Sequence, residues 1–382
     1  MQNSHWVCGW GASTTRIPYQ LADSFEDTTI RYLIFPTIDG GKIRIRLSNY
    51  FGTEKVRINA VYAATVLSGS NIDPNENVKL TFGGQNEAVI APGEEIVSDP
   101  VDFNISHGKM IAVSLYFKER TSLTTGHSNN GPYIKKYFTR GNYAAAPEFP
   151  PDTLSDCPCY VFLNGLDIWA SEDTRAIIAI GDSITAQPWP DCLARRLLSL
   201  GITNRAVIRK GISGNRLLRE YKTYRPRMHH GISLLSRFKR DILQPGADRI
   251  FMLIGINDLL HPGPNHYAPM SELPSAEDMI EGYKFCIETA RGHNMKIYLS
   301  TILPTGRFLK DDMLERETLR TEINDWIRST DLIDGLIDFD SALRDENDHR
   351  RLKAEYDSGD LLHPSLAGAK AMANAIPEEY LK

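Results

Sequence analysis

The N-terminal part of the chain contains short segments in which apolar and polar residues alternate. In residues 42–47 the side chains of Ile43, Ile45 and Leu47 fall on one face and three cations fall on the other. This period of two is typical of strands with one buried face. Similar segments occur at residues 29–35, 56–63, 77–82, 110–117 and 160–163, with turn-forming residues between many of them. The series predicts an all-β sandwich of the jelly-roll type.

From Arg175 onward the pattern changes to uninterrupted apolar runs that alternate with helical segments. The runs are residues 176–180, 206–208, 250–254, 296–301 and 336–339. Strands this apolar are usually covered on both faces, as helices cover a parallel sheet. The C-terminal part is therefore predicted to be a doubly wound α/β domain.

One predicted helix lies between the third and fourth apolar runs. Its apolar residues recur at intervals of three or four and are Met279, Ile280, Tyr283, Cys286, Ile287 and Ala290. Ser275 is suited to cap its start and Gly292 to end it.

The two patterns meet in a short polar stretch at residues 170–174. A chain of 382 residues also exceeds the roughly 250 to 300 residues at which a single hydrophobic core stops growing. We therefore predict two domains: a β-sandwich domain at residues 1–172 and an α/β domain at residues 173–382.

The amino-acid composition and net charge give no indication of a nucleic-acid partner. A hydrophobic fraction of 42%, a charged fraction of 24% and a net charge of −5 are ordinary for a globular protein and give no basic surface for nucleic acid. The N-terminus lacks the basic start and apolar stretch of a secretory signal, and no segment approaches the ~20 apolar residues of a membrane span. We expect a cytoplasmic protein, or a secreted one if a signal has been removed. Composition does not indicate the oligomeric state.

The cysteines predict neither a disulfide framework nor a metal site. They are too few and too scattered for such a framework and are Cys8, Cys157, Cys159, Cys192 and Cys286. Cys157 and Cys159 are separated by one residue, whereas paired zinc ligands usually have two to four between them. We predict reduced thiols, no metal and no cofactor.

Residues suited to catalysis come directly after several of the predicted parallel strands, at the edge where open α/β sheets bind their ligands. The segments are Gly-Asp-Ser at residues 181–183, Gly-Ile-Ser-Gly-Asn at 211–215, Gly-Ile-Asn-Asp at 255–258 and, near the C-terminus, Asp-Leu-Leu-His at 360–363. Each alone is common turn chemistry. Together they supply what a serine needs to attack an ester: a base, a group that orients the base, and donors for the developing oxyanion.

These four segments, in this order, resemble the Ser-Gly-Asn-His hydrolases, also called GDSL esterases. The resemblance implies that Ser183 is the nucleophile, His363 the base and Asp360 the residue that orients it. It also implies an oxyanion hole formed by the backbone N–H groups of Ser183 and Gly214 and by the amide of Asn257. The motif reads Gly-Asp-Ser-Ile here, a departure that changes no catalytic atom.

The resemblance extends to a bacterial subgroup with an N-terminal β-domain. The segments that carry it are residues 6–7, 10–13, 46–49, 51–52 and 357–360. Members are described as lipase-like or acetylxylan-esterase-like, and many are secreted. The resemblance implies hydrolysis of a carboxylic ester with a short acyl group, such as an acetyl group on a carbohydrate. The partner is then a small-molecule or oligosaccharide ester.

Two other functions stay open on the sequence alone. One is a lysophospholipase or thioesterase of the same fold, and the other, from a different class, is a carbohydrate-binding protein without catalytic activity. The glycines after the second run match neither the dinucleotide fingerprint nor the P-loop.

Several further side chains have both a structural and a functional interpretation. His127 and His261 are candidates to line a cleft, although capping or solvated positions are more common for such residues. The cations of residues 216–227 suit an anionic substrate but also a solvated surface. Trp189 suits either the core or the wall of an acyl pocket.

Overall fold

The structure is a computed structural model that describes residues 4–17, 24–127, 132–153, 160–221, 230–263, 267–310 and 313–382. The described residues group into two compact units. The first holds the chain up to Ala176 together with residues 201–208, and the second holds the rest. Because these units are discontinuous in sequence, the domain boundary between residues 172 and 173 remains a prediction.

The N-terminal part consists of antiparallel strands, so its predicted all-β fold is confirmed. The strands are β1 (Ser4–Gly11), β2 (Thr15–Arg16), β3 (Ser24–Phe25), β4 (Thr28–Ile34), β5 (Gly40–Ser48), β6 (Val56–Ile58), β7 (Ala60–Ser68), β8 (Asn71–Lys79), β9 (Ala88–Ile90), β10 (Glu95–Val97), β11 (Val101–Ile105), β12 (Ile111–Phe117), β13 (Thr121–Ser122), β14 (Thr125–His127), β15 (Lys135–Arg140), β16 (Tyr160–Val161) and β17 (Leu163–Ser171).

Two larger sheets form this part. One has the strand order β1-β17-β5-β10 with β11 also paired to β5, and the other has the order β15-β4-β12-β7-β8. In β5 the alternation predicted for residues 42–47 is confirmed, since Ile43, Ile45 and Leu47 are fully buried. Tyr32 in β4 stacks on Tyr160 and accepts a hydrogen bond from the backbone N–H of Val161, which adds to the core.

The predicted strand bounds were wrong in three places. Residues 56–63 are divided into β6 and β7 by Asn59, whose backbone N–H donates to the carbonyl of Tyr116. The strand expected at residues 77–82 is β8, which begins at Asn71 and ends at Lys79. β8 lies at a sheet edge and has one buried residue, Ile72, so its sequence contains few apolar residues that would indicate a strand. Residues 160–163 are divided at Phe162, which has a φ of +59°.

The C-terminal part contains a five-stranded sheet with the order β19-β18-β20-β21-β22. β20 pairs in parallel with β21, and β21 in parallel with β22. The strands are β18 (Arg175–Gly181), β19 (Arg205–Gly211), β20 (Ala247–Leu253), β21 (Lys296–Ser300) and β22 (Gly335–Ile337). Each predicted apolar run thus overlaps a strand, and the predicted α/β fold is confirmed. The run at residues 336–339 was predicted too long, because its strand ends at Ile337 and Phe339 begins a helix.

Helices connect these strands. They are α1 (Ser183–Ala186), α2 (Trp189–Ser199), α3 (Leu234–Ile242), α4 (Ile256–Leu260), α5 (Ala276–Gly292), α6 (Leu314–Ser329), α7 (Phe339–Leu343) and α8 (Leu366–Ala375). No helix of the described residues is long and apolar enough to cross a membrane.

The helix predicted between the third and fourth runs is α5. Ser275 caps its start and forms a capping box with Asp278, as the sequence predicts for the cap. The helix ends at Gly292, as predicted, and the left-handed residue that follows it is Asn294, with a φ of +56°. Asparagine tolerates this conformation better than most residues do.

Candidate active site

Ser183 lies on a sharp turn between β18 and α1. Gly181 ends β18, and a Cβ atom added there would lie 2.0 Å from the carbonyl oxygen of Leu253, so glycine allows β18 to approach β20 closely. The carboxylate of Asp182 caps α1 by accepting the N–H of Ile184 at 2.9 Å. Only 8% of Ser183 is exposed. The nucleophile candidate is therefore held by backbone geometry rather than by a mobile loop.

The structure brings Ser183, His363 and Asp360 into one hydrogen-bonded series. Ser183 Oγ lies 2.8 Å from His363 Nε2, and His363 Nδ1 lies 2.6 Å from Asp360 Oδ2. Because a carboxylate can only accept, His363 donates through Nδ1 and its Nε2 accepts from the serine hydroxyl. The spacing of three residues between Asp360 and His363 is bridged by one turn, in which Leu361 has a φ of +64°.

Asp360 is held as a carboxylate. Burial by itself would raise its pKa, but the backbone N–H and the imidazole of His363 lower the pKa to about 2. The backbone N–H groups of Leu362 and His363 donate to Oδ1 at 3.0 and 2.8 Å. Asp360 is therefore ionised at every pH at which His363 can act as a base.

Arg307 is a further member of this group that the sequence did not indicate. Its guanidinium donates to Asp360 Oδ2 and to the Asp360 carbonyl oxygen, both at 3.0 Å. Arg307 follows β21, the fourth apolar run, so inspection of the residues beyond that strand end would have found it. Its contact with the oxygen that also accepts from His363 fixes the orientation of the carboxylate.

Gly214 and Asn257 follow β19 and β20, the two strands that flank β18. The N–H of Ile212 donates to the carbonyl of Gly181 at 3.1 Å, so the turn after β19 lies against the end of β18. Asn257 is the second residue of α4 and is 2% exposed. Its side-chain amide donates to the backbone carbonyl of Asn215 at 3.0 Å.

The local structure requires glycine at position 214. Gly214 has a φ of +75°, and a Cβ atom there would lie 1.9 Å from His230 Nδ1. The imidazole of His230 thus occupies the place of a side chain and donates to the Ser213 carbonyl at 2.9 Å. Burial lowers the pKa of His230, which favours the neutral ring.

Tyr221 and His261 support the same turn. The Tyr221 hydroxyl donates to the Gly214 carbonyl at 2.6 Å and contacts His261 Nδ1. His261, considered from the sequence as a cleft residue, is 7% exposed and lies within a group of rings that includes Tyr221, His230 and Tyr267. Sequence reasoning missed Tyr221 and His230, because no spacing links either of them to Gly214.

Three other residues that the sequence offered as functional candidates are buried and contact residues of the protein interior. Arg216, interpreted as part of a solvated basic surface, is instead 1% exposed and pairs with Glu272 at 2.9 Å. Trp189 is in the core and packs on Phe339. His127 is buried and stacks on Tyr160, with a centroid distance of 4.6 Å. Arg219 is exposed, and the cations at 222–227 and the Cys157–Cys159 pair lie outside the described residues.

Within the described ranges, no group of three or more His, Cys, Asp or Glu side chains has the arrangement of a metal site. The side chains and backbone at the strand ends supply a hydroxyl, an imidazole, a carboxylate and amide donors. This set is sufficient for proton abstraction, nucleophilic attack and stabilisation of an oxyanion.

Comparison with known proteins identifies the C-terminal part. The sequence model of the family described as "GDSL-like Lipase/Acylhydrolase family" matches residues 179–371. This segment contains Ser183, Gly214, Asn257, Asp360 and His363. A search of curated protein sequences finds no match.

Among solved structures, a GDSL-like lipase from Bacteroides thetaiotaomicron is 18% identical, with 54% of this chain and 87% of that chain covered and a TM-score of 0.38. An acetyl xylan esterase from Geobacillus stearothermophilus is 18% identical, covering 53% and 92%, with a TM-score of 0.37. A carbohydrate esterase family 3 protein from Talaromyces cellulolyticus is 16% identical, covering 55% and 97%, with a TM-score of 0.35.

Proposed function

The chain belongs to the GDSL-like lipase/acylhydrolase family, a family of hydrolases, and we propose that it is a serine esterase that works through an acyl-serine intermediate on Ser183. The observation that carries this proposal is the pair of contacts at His363, 2.8 Å to Ser183 Oγ and 2.6 Å to Asp360 Oδ2. A neutral imidazole in this tautomer can remove the serine proton at the moment of attack.

The reaction has two halves. Ser183 Oγ attacks the ester carbonyl carbon while its proton passes to His363 Nε2, and the carbonyl π electrons move to oxygen. Collapse of this tetrahedral intermediate breaks the bond to the alcohol oxygen, which takes the proton from His363. Water then attacks the acyl-serine by the same route, releasing the carboxylic acid and restoring Ser183.

The oxyanion of each tetrahedral intermediate requires donors. We assign this role to the backbone N–H groups of Ser183 and Gly214 and to the Asn257 amide. Their position after three adjacent strands supports the assignment, since donors fixed in this way need no reorganisation as charge develops.

We further propose that the substrate has a short acyl group, such as acetyl, carried by a carbohydrate or other polar alcohol. Next to His363, the side chains of Asp360 and Arg307 are 38% and 36% exposed. This flank is charged and partly hydrated, which favours a polar leaving group over an extended apolar chain. In this proposal residues 173–382 form the catalytic domain and residues 1–172 an accessory domain.

Acyl-chain preference tests the substrate proposal. The purified protein should hydrolyse p-nitrophenyl acetate with a kcat/KM at least about ten times that for the decanoate, the size of discrimination that a few methylene groups provide. Release of acetate from acetylated oligosaccharides should then identify the alcohol. A preference for the decanoate would favour the lysophospholipase alternative. Failure to hydrolyse any ester would favour a binding protein.

A further inference from the structure

The side chain of Asn215 is fully engaged, although it belongs to none of the expected catalytic positions. Its Oδ1 accepts from Arg237 Nε at 3.0 Å and from Arg237 Nη2 at 2.9 Å. Its Nδ2 donates to the backbone carbonyls of His230 at 2.7 Å and Ile232 at 2.8 Å. Asn215 is 1% exposed. A buried amide with this many partners holds one rotamer.

The backbone of Asn215 closes the turn that presents Gly214. Its N–H donates to the Ile212 carbonyl at 3.1 Å, which makes Ser213 and Gly214 the central residues of a four-residue turn. The φ of +75° at Gly214 is the conformation that a type II turn requires at its third position. The direction of the Gly214 N–H is therefore set by a turn that Asn215 anchors.

The same residue also orients the second donor. The carbonyl oxygen of Asn215 accepts one N–H of the Asn257 amide at 3.0 Å. An amide NH₂ has two hydrogens, so this bond fixes the plane of the Asn257 side chain and leaves the other N–H to donate elsewhere. Gly214 and Asn257 are thus linked through one residue.

Arg237 fixes Asn215 relative to the strand that carries Ser183. Its Nη2 donates to the carbonyl of Gly181 at 2.8 Å and its Nη1 to the carbonyl of Lys210 at 3.1 Å, the last residue of β18 and the penultimate residue of β19. Arg237 is fully buried and paired with Asp241. A planar guanidinium with these partners relates the turn after β19 to the end of β18.

From this network we infer that Asn215 is a positioning residue that aligns both proposed oxyanion donors, the Gly214 N–H and the Asn257 amide. The inference rests on the proposed function of those two groups. A misplacement of about 1 Å in a catalytic group can cost about 100-fold in rate. Loss of the Asn215 side chain should therefore affect turnover and not only stability.

A double-mutant cycle tests this inference. We expect Asn215→Ala to lower kcat by about 10- to 100-fold with KM changed less than about twofold, since the lost interaction serves the transition state. Asn257→Ala should lower kcat by about 100- to 1000-fold. If Asn215 acts through Asn257, the double variant should lose at least about threefold less than the product of the single losses.

The inhibition constant of phenylboronic acid is a second measurement, which a purely structural role of Asn215 would leave unchanged. Its tetrahedral adduct with Ser183 places an oxygen in the oxyanion hole, so the inhibition constant should rise in Asn215→Ala. Asn49→Ala is the matched control, because Asn49 is a fully buried asparagine whose amide donates to the carbonyls of Glu54, Ile90 and Ala91. It should reduce stability and leave kcat and phenylboronate binding unchanged.

Each outcome has a distinct meaning. A wild-type kcat for Asn257→Ala would overturn the oxyanion assignment and this inference with it. A reduced kcat for Asn257→Ala with fully multiplicative losses in the double variant would overturn this inference alone. If Asn215→Ala does not fold, Arg237→Lys replaces it in the cycle. Lysine keeps the charge beside Asp241 but loses the paired contact to Asn215. The double variant Arg237→Lys/Asn257→Ala should therefore again lose less kcat than the product of the two single losses.

Discussion

The two parts of the molecule each contain a fully buried arginine, and the two arginines have different partners. Arg31 in β4 donates to the Ser114 hydroxyl and to backbone carbonyls, which belong to Ser70, Tyr143, Ala144 and Ala146. Arg237 in α3 donates to carbonyls at two strand ends, to Asn215 and to the carboxylate of Asp241.

A buried guanidinium that donates to backbone carbonyls thus has a different role in each part. Both guanidiniums donate hydrogen bonds to backbone carbonyls in the buried interior. The carbonyls that Arg31 contacts belong to segments of the all-β part. Burial lowers the pKa of Arg31 to about 10. The carbonyls that Arg237 contacts precede the residues proposed for catalysis. Changes near Arg237 should therefore alter kinetics, whereas changes near Arg31 should alter stability.

The largest effect is expected at Ser183. Ser183→Ala removes the only atom proposed to form the acyl intermediate, so kcat/KM for p-nitrophenyl acetate should fall by at least about 10⁴-fold. Ser275→Ala is the control, since it removes a helix-capping serine of the same unit and should cost about 1 kcal/mol of stability without a change in kcat. Retention of more than about a hundredth of the activity by Ser183→Ala would assign the nucleophile elsewhere.

Asp360→Asn should have the next largest effect. The amide can present its NH₂ to His363 and favour the wrong tautomer, so kcat should fall by about 10² to 10⁴ while the protein stays folded. Asp348 is a surface carboxylate whose pKa is also held at about 2, by Arg350. Asp348→Asn should therefore leave kcat unchanged. Equal kcat values for Asp360→Asn and the wild type would mean that another group orients His363.

Arg31→Met should separate stability from activity. It leaves buried carbonyls without their donor, which should cost about 2 to 4 kcal/mol and lower the melting temperature by roughly 6 to 12 °C. The kcat for p-nitrophenyl acetate, measured well below the transition, should stay within about twofold of wild type. A kcat reduced as strongly as in Asn215→Ala would remove the contrast between the two arginines.

The smallest effect concerns Asp182, which precedes the nucleophile. Burial raises its pKa to about 7 from 3.8. Between these values the unfolded chain is ionised while the folded chain retains the proton, so the stability contributed by Asp182 is lost as pH rises toward 7. Asp182→Asn removes this dependence.

The melting temperature of Asp182→Asn relative to wild type should therefore increase between pH 4.5 and pH 8. Calorimetry of both proteins across this range measures the difference directly. A difference that does not vary with pH would mean that Asp182 titrates at an ordinary pH.

The sequence predicted those parts of the fold and site that depend on local pattern. The five apolar runs form the strands of the parallel sheet because burial on both faces leaves a continuous apolar segment. The contact between Asp360 and His363 was predictable because a spacing of three residues suffices to bring the two side chains together. The edge strand β8 was misplaced because Ile72 is its only buried residue.

The supporting residues of the site were not predictable from the sequence. His230 fills the space above Gly214 from 16 positions along the chain, and Arg237 reaches Gly181 from 56 positions away. Neither lies in a motif, and an isolated Arg or His in a helix or loop usually has no catalytic context. Such contacts arise from tertiary packing, which no local periodicity encodes.

The central claim is that Ser183, activated by His363 and Asp360, is the nucleophile. Intact-mass and peptide mass spectrometry after reaction with a fluorophosphonate probe tests it most directly, because the probe phosphonylates an activated serine with loss of fluoride. We predict one adduct per chain, on the peptide that contains Ser183, with no adduct in Ser183→Ala and slower labelling in Asp360→Asn. An adduct on another residue, or ester hydrolysis by a protein that the probe does not label, would contradict the account.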